Sequence, residues 1–408
     1  MLEDARKEID DIDCRLASLV ERRMQMAADI AAYKKENSLP VEDKTREDEI
    51  IATHSKLITD PVIRKYYVEF LQGLFTVSKH YQSDLLNLQD SGIVIGRGNL
   101  LHIEDFIPMK GKILILTDTG VPKQYAKAVA DKAEDAFIYT IQQGEASKNV
   151  GNWVALLSFM KEKNFTRTDS VVSVGGGVVS DLAGFVAATY MRGIRYYNVP
   201  TTLLAQIDAS VGGKTAVDFE GIKNMAGVFY QPCKVVIDSD TLKTLPERQL
   251  HSGLVESIKM AATFDEDLFE LIENSKCIED DLEEIIRRSV NLKKDVVDKD
   301  PMEKDLRRVL NFGHTVGHAV ESLGEGKYLH GEAVGIGMRW FSSEEVWKRI
   351  EKVLMKYNLP VKCHLSATAI TDLIRHDKKA TDDEVWVVKV EKLGTFNICK
   401  SRIDDLKI

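Results

Sequence analysis

Three of the chain's nine histidines, His314, His318 and His330, fall in one short stretch. The run reads Asn311-Phe-Gly-His314-Thr-Val-Gly-His318, followed by His330-Gly-Glu332. His314 and His318 are four residues apart, so on a helix they share a face, a common arrangement for metal ligands. The pattern is not His-Glu-x-x-His, and metal-assisted peptide hydrolysis is not indicated. An earlier segment carries Glu256 and Lys259 one turn apart. A lone histidine would read as core or surface. A cluster of them with a distant carboxylate reads as a metal centre.

Glycines point to a second kind of chemistry. Ser170 to Val174 reads as a strand running into Gly175-Gly176-Gly177 and then a helix bearing Asp181. Glycines between strand and helix let a phosphate approach the backbone and rest on the helix N-terminus. The spacing is not G-x-G-x-x-G, so a nucleotide site and an empty tight turn stand equal on these residues alone. Asp208-Ala-Ser-Val-Gly212-Gly213-Lys214, followed by Lys223 and Asn224, resembles a phosphate loop without the P-loop spacing. By itself it reads as a solvated glycine loop.

The elements that must position these residues differ along the chain. From Gly92 onward, β-rich runs (Ile93 to Ile95, Lys112 to Leu116, Ser170 to Val174, Val235 to Ile237) alternate with helical stretches and end in glycines, the pattern of a parallel α/β sheet. After about Thr241 the chain turns mainly helical to near Ala380, with a last β-like run at Val385 to Val390. The first 86 residues contain no glycine before Gly73, and their only prolines are Pro40 and Pro61. Ile9, Ile12, Leu16, Leu19, Val20, Ala27, Ile30 and Ala31 predict one long amphipathic helix from Leu2 to about Lys35. Two more helices follow, about Lys44 to Ile58 and Val62 to Leu86, with breaks at Asn37 to Pro40 and at Thr59-Asp60-Pro61. Such helices cannot bury their stripe alone, which predicts a dimer. The expected plan is a helical domain over 1–86, a linker over 87–91, an α/β domain over 92–240 and a mainly helical domain over 241–408.

Bulk properties narrow the partners. The net charge of −9 argues against nucleic acid and anionic membranes. No apolar run approaches the roughly 18–20 residues that span a bilayer. Met1 to Asp13 is charged and carries no signal segment. Five scattered cysteines without a C-x-x-C pair fit a reducing cytoplasm.

Six motifs together resemble the 3-dehydroquinate synthase family: Gly144-Glu145-x-x-Lys148, Gly175-Gly176-Gly177-x-x-x-Asp181, Pro200-Thr201-Thr202-Leu203, Asp208 to Lys214, Gly253-Leu-Val-Glu256-x-x-Lys259 and Asn311 to His318. They occur in the family's order and span nearly all of Gly92 to Ile408. The resemblance implies a Rossmann-like α/β domain with a helical partner, and NAD and a divalent metal, zinc or cobalt, as cofactors. It implies NAD contacts from Asp118, Glu145, Lys148, Gly176, Gly177, Asp181, Thr201, Thr202, Lys214, Lys223, Thr244 and Leu245. It implies metal ligation by Glu256, His314 and His330, replacing the His314–His318 pair that spacing suggests. Asp208, Lys214, Lys259, Lys293, Arg307, Asn311, His318 and Arg192 then face substrate, with Lys378 or Lys379 closing the site. The implied substrate, 3-deoxy-arabino-heptulosonate 7-phosphate, carries a carboxylate and a phosphate, which lysine and arginine neutralise. NAD is regenerated within each cycle, so no net redox change is expected. Between Met338 and Tyr357 the chain is shorter than the family by about two helical turns.

The helical segment resembles the all-helical class of chorismate mutase through Arg6, Arg23, Lys34, Asp43, Arg46, Glu47, Ser78 and Gln82. Arg23 and Lys34, eleven residues apart, share a helix face, and Arg6 points roughly 100° away from Arg23. The resemblance implies that Arg6 enters a partner's site. It also implies that Arg23 and Arg46 hold carboxylates, that Lys34 and Gln82 donate to the breaking ether oxygen, and that Glu47 accepts from the ring hydroxyl. That is electrostatic preorganisation without proton transfer. The expected protein is a bifunctional cytoplasmic homodimer with small-molecule substrates. Two alternatives stand beside it: a helical unit that senses chorismate or prephenate for regulation, and an α/β half that is a related sugar-phosphate cyclase.

Overall fold

The computed structural model describes residues 2–36, 43–90, 92–300, 303–376, 384–406 and 408. The chain divides into two compact units, Met1–Ser91 and Gly92–Ile408. The first contains α1 (Leu2–Glu36), α2 (Lys44–His54) and α3 (Pro61–Asp90). Asp43 caps α2 by accepting the Arg46 N–H, and Asp60 caps α3 by accepting from Val62 and Ile63 at 2.7 and 3.2 Å. These caps satisfy donors that the first helical turn leaves open. Ala27 and Ala31 of α1 are buried, as are Leu71 and Phe75 of α3. The stretch expected as a linker is occupied to Asp90 by α3, because no proline or glycine stops that helix before Gly92. The break expected over 37–40 lies outside the described residues.

The second unit opens on a six-stranded, all-parallel sheet. Its strands are β1 (Ile93–Ile95), β2 (Lys112–Asp118), β3 (Asp135–Ile141), β4 (Ser170–Gly175), β5 (Arg195–Pro200) and, after the hairpin β6 (Lys214–Phe219) and β7 (Ile222–Phe229), β8 (Lys234–Ile237). Their order is β1-β8-β5-β4-β2-β3. Between them run α4 (Lys123–Ala130), α5 (Val150–Glu162) and α6 (Gly177–Thr189). Strand alternation sorts the core into two layers. Leu114 and Leu116 of β2 pack with Leu156, Met160, Leu182 and Val186 of α5 and α6. Ile113 and Ile115 face Ala126 and Val129 of α4 with Leu100 and Ile103. A strand covered on both faces reads as an apolar run, unbroken from Ile113 to Leu116 in β2 and interrupted only by Ser173 in β4, which makes both visible in the sequence. β3 and β5 mix polar residues into the run, and the β6–β7 hairpin is antiparallel and half exposed; the sequence reading lacks all four.

The remainder is helical: α7 (Glu247–Phe264), α8 (Glu266–Asn274), α9 (Ile278–Lys299), α10 (His314–Leu323), α11 (His330–Gly337), α12 (Glu344–Lys356) and α13 (Ala367–His376), followed by the hairpin β9 (Glu384–Lys389) and β10 (Asn397–Arg402). The stretch after Met338 forms one 3-10 turn and α12, which is capped by Ser343. α7 is buried without interruption from Leu250 to Thr263. No helix among the described residues is long and apolar enough to cross a membrane.

Candidate active site

β2 leads outward to β3, and the chain then returns to β4 on the other side of β2. Ligands of open parallel sheets bind beyond the strand C-termini at such a reversal. Asp118 ends β2 there, its Oδ1 accepting the Gly120 N–H at 2.7 Å. Gly175 ends β4, Gly176 caps α6 and Gly177 begins it. Thr201 and Thr202 follow β5 alongside, Thr201 donating its N–H to Gly175. Thr244 Oγ1 lies 2.9 Å from Tyr125 Oη, with Leu245 next in sequence. Buried Lys148 gathers three carboxylates: Glu145 at 2.7 Å, Asp181 at 3.3 Å and Asp218 at 4.0 Å. Burial raises the Asp181 carboxyl to about 6 against the pull of Lys148, with Glu145 and Asp218 adding to the rise. Asp218 was missed, since a single acidic residue in a half-exposed hairpin gives no signal in sequence.

The helical part supplies a second cluster. Charged residues on a helix buried on every side are costly unless partnered, which makes Glu256 and Lys259 candidates for the site. Lys259 Nζ is in direct ion-pair contact with Glu256. His314 and His330 are the first residues of α10 and α11, and their Nε2 atoms lie 3.7 and 3.6 Å from Glu256 Oε1. One ligand atom from each of Glu256, His314 and His330 falls within 4.8 Å of the others. Both Glu256 oxygens are buried without a well-formed hydrogen bond. A carboxylate with spare lone pairs beside two imidazoles is a donor set that a divalent cation satisfies. Burial, joined by Lys259 and the neighbouring histidines, drives His314 well below the usual imidazole range, keeping it neutral as a ligand must be. Burial also opposes charge on His330, but Glu256 and Glu321 outweigh it and lift this group to about 10, so a cation taken up at its Nε2 must displace a proton. α11 reaches α7 because residue 331 is glycine; a Cβ there would overlap the Ser252 carbonyl. His318 stacks edge-on against His314, centroids 5.1 Å apart, and lies outside the three-residue ligand group.

Basic residues line the space around this cluster. Lys293 donates to Asp208 Oδ1 at 2.6 Å, and its ammonium holds Asp208 below the usual carboxylate range although burial works the other way. Burial lowers Lys293 itself. Arg307 is buried, with its backbone N–H on Asp300, whose carboxylate also accepts from Lys304 and Asp305. Its guanidinium presses on Gly212, where φ is 103° and a Cβ would meet Nη2 at 2.6 Å. Residues 210–213 are buried, Gly212 against Arg307 and Gly213 against Gln231, correcting the expectation of a solvated glycine loop. Lys214 pairs with Glu303, which also accepts from Asn311 Nδ2 at 3.1 Å. Glu303 was not singled out in the sequence. Lys223 of β7 donates to Glu321 at 2.7 Å, and so reaches the histidine cluster rather than the glycine turn. Arg192 is exposed before β5, at the end of the sheet opposite Gly176, and is not brought to this crevice within one chain. Lys378 and Lys379 lie outside the described residues.

In the helical unit, Arg23 is half-buried over the Phe75 ring at 5.9 Å, with Nη1 buried and unpartnered by a hydrogen bond. Burial lowers its pKa. Gln82 Nε2 donates to Ser78, and Gln82 Oε1 is buried without an acceptor's partner. Glu47 pairs with Lys79 at 3.2 Å, and Arg46 with Glu49 at 3.1 Å. Lys34 is partly buried and Arg6 exposed. Arg6 lies about 25 Å along α1 from Arg23, too far to share one site within a single chain.

Family models match in three places: chorismate mutase type II at residues 5–83, 3-dehydroquinate synthase N-terminal at 138–252 and 3-dehydroquinate synthase C-terminal at 253–380. The chain is 42% identical over 308 residues to the 3-dehydroquinate synthase of Alkaliphilus metalliredigens (strain QYMF), covering 71% of this chain and 86% of that protein. The chain belongs to the 3-dehydroquinate synthase family. Two solved structures of the same architecture extend the likeness. A 2-deoxy-scyllo-inosose synthase complexed with carbaglucose-6-phosphate, NAD+ and Co2+ has a TM-score of 0.69 at 26% identity, over 77% of this chain and 95% of that one. The 2-epi-5-epi-valiolone synthase from Streptomyces hygroscopicus subsp. jinggangensis 5008, with NAD+ and Zn2+ bound, has a TM-score of 0.67 at 26% identity, over 77% and 94%. This member of the 3-dehydroquinate synthase family thus carries a chorismate mutase type II domain ahead of its synthase domains.

Proposed function

We propose that the protein is bifunctional: a 3-dehydroquinate synthase that converts 3-deoxy-arabino-heptulosonate 7-phosphate to 3-dehydroquinate and phosphate, and a chorismate mutase that converts chorismate to prephenate. The observation that carries the synthase is Glu256, His314 and His330 converging beside Lys259, in the same unit as the glycine turn. Glu256, His314 and His330 hold a divalent cation, and Asp118, Glu145, Lys148, Gly176, Gly177, Asp181, Thr201, Thr202, Thr244 and Leu245 line an NAD site. When bound, the nicotinamide accepts and returns a hydride while the cation polarises the substrate hydroxyl. Lys214, Arg307 and Asn311 bind and orient the two anionic ends of the substrate. Lys293, buried against Asp208, and His318 are the groups placed to hold or move a proton. The full basic set favours a carboxylated substrate over an uncarboxylated sugar phosphate.

In the helical unit, Arg23, Arg46, Lys34 and Gln82 surround a dicarboxylate, with Asp43, Glu47 and Ser78 on its hydroxyl side. The unpartnered polar atoms of Arg23 and Gln82 support this reading. Arg6 would come from a second copy, and Arg192 likewise in the synthase. Ile9, Ile12, Leu16, Leu19, Met26 and Ile30 are exposed on α1 at spacings of three, four and seven, the seam of a helical partner. We read the protein as a homodimer on this basis, and as cytoplasmic from its five scattered cysteines without a C-x-x-C pair.

The test follows phosphate release from the heptulosonate and loss of chorismate in one preparation, beside Glu256→Ala and Lys34→Ala. Each variant is expected to lose one reaction and keep the other. Phosphate release from sedoheptulose 7-phosphate in place of the heptulosonate would overturn the substrate. Chorismate binding without turnover would make the helical unit a sensor.

A further inference from the structure

Glu321 sits on α10 and takes no part in the chemistry above. Its side chain is only 20% exposed, and each oxygen is engaged separately. Oε2 accepts from His330 Nδ1 at 2.9 Å, and Oε1 accepts from Lys223 Nζ at 2.7 Å. An imidazole facing a cation through Nε2 has Nδ1 as its remaining polar atom. Whatever holds that N–H fixes both the tautomer and the plane of the ring. The far side of His330 meets this condition, since Nε2 points to Glu256 Oε1 at 3.6 Å. Lys223 belongs to β7, and the same hairpin is held again through the Lys214–Glu303 ion pair. The hairpin is therefore fastened to the helical part at two points, one of which ends on a ring of the cation site.

We infer that Glu321 is a positioning residue that orients His330 for the divalent cation and, through Lys223, ties the β6–β7 hairpin to the metal centre. This rests on the assignment of Glu256, His314 and His330 as the cation's ligands. Two consequences distinguish it from a surface ion pair. Loss of the carboxylate weakens cation binding itself, before any substrate is present. Loss of the Lys223 ammonium acts in the same direction but only through Glu321, so the two effects do not add.

The experiment titrates Co2+ into the metal-free full-length protein, reading affinity and the visible cobalt spectrum, with the thermal midpoint of the metal-free state as a control on folding. Glu321→Gln and Glu321→Ala are expected to lower Co2+ affinity about 10- to 100-fold and to alter the spectrum. Lys223→Met is expected to lower it by a smaller factor, with no further loss when combined with Glu321→Ala. Should the Glu321 variants fold poorly, Lys223→Met, changed at a half-exposed site, decides by the same readout. Wild-type affinity in the folded Glu321 variants or in Lys223→Met, while His330→Ala has lost binding, would overturn the inference and leave the ligand assignment standing. Wild-type affinity in His330→Ala as well would overturn both.

Discussion

Asp181 is buried, which raises its carboxyl, and it shares Lys148 with Glu145 and Asp218, whose negative charge adds to the rise. In the folded protein its carboxyl titrates at about 6, against about 3.9 in an unfolded chain. The folded state therefore holds this proton more tightly. The resulting stabilisation is complete below pH ~4 and is lost as pH rises through about 6. Asp181→Asn removes the titration. Its stability relative to the parent should improve by up to about 3 kcal/mol between those limits and stay level above them, read by urea unfolding of the NAD-free protein at a series of pH values. A flat difference across the window would show that Asp181 titrates normally. Gly212 is a second residue whose role can be isolated. Alanine there strains a backbone at φ 103° and pushes on Arg307 Nη2. Synthase kcat/KM should fall about 100-fold, the scale of a displacement near 1 Å, while chorismate turnover in the same sample is unchanged. Sequence spacing could not tell His330 from His318 as the companion of His314. His314 and His330 meet because each begins a helix and the two helices pack together, a relation that lies between elements and leaves no periodic trace. Glu303 and Glu321 were invisible for a related reason: an isolated acidic residue looks like solvated surface until its partners are placed.

Among the elements, α2 depends most on its ends. It buries no residue fully, so packing adds little to its stability, and the Asp43 cap carries a large share. Asp43→Ala should cost about 1 kcal/mol, seen as a lower urea midpoint for the helical unit, and should raise the KM for chorismate because Arg46 and Glu47 ride on the first turn. An unchanged midpoint would mean that α2 is held by contacts other than its cap. The helices of this unit and the central strands β2 and β4 were legible because burial on one stripe or on both faces imposes a period or a largely apolar run. β6 and β7 were not, since a half-exposed hairpin with polar residues at Lys223 and Asn224 imitates a loop.

At the scale of the whole molecule, the stripe on α1 is an exposed apolar seam of the helical unit. Arg23 occupies the one polar position in the series Ile9, Ile12, Leu16, Leu19, Met26, Ile30. A helix covering this seam would bring its own residues to the mouth of the mutase pocket. Ile12→Lys with Leu19→Lys should shift the protein toward monomer in sedimentation velocity at micromolar concentration and reduce chorismate turnover, because Arg6 then has no second site to enter. A dimer persisting with full mutase activity would place the interface elsewhere.

The burial of α7 on every side has a consequence for local opening. A helix enclosed by the rest of its unit cannot fray or swing out without dismantling its surroundings, so its amide protons exchange with solvent only when the whole unit opens. The amides from Leu254 to Ala262 should accordingly be among the slowest to take up deuterium. Their protection should rise further when Co2+ is added, since a ligand of Glu256 stabilises the state in which α7 is closed.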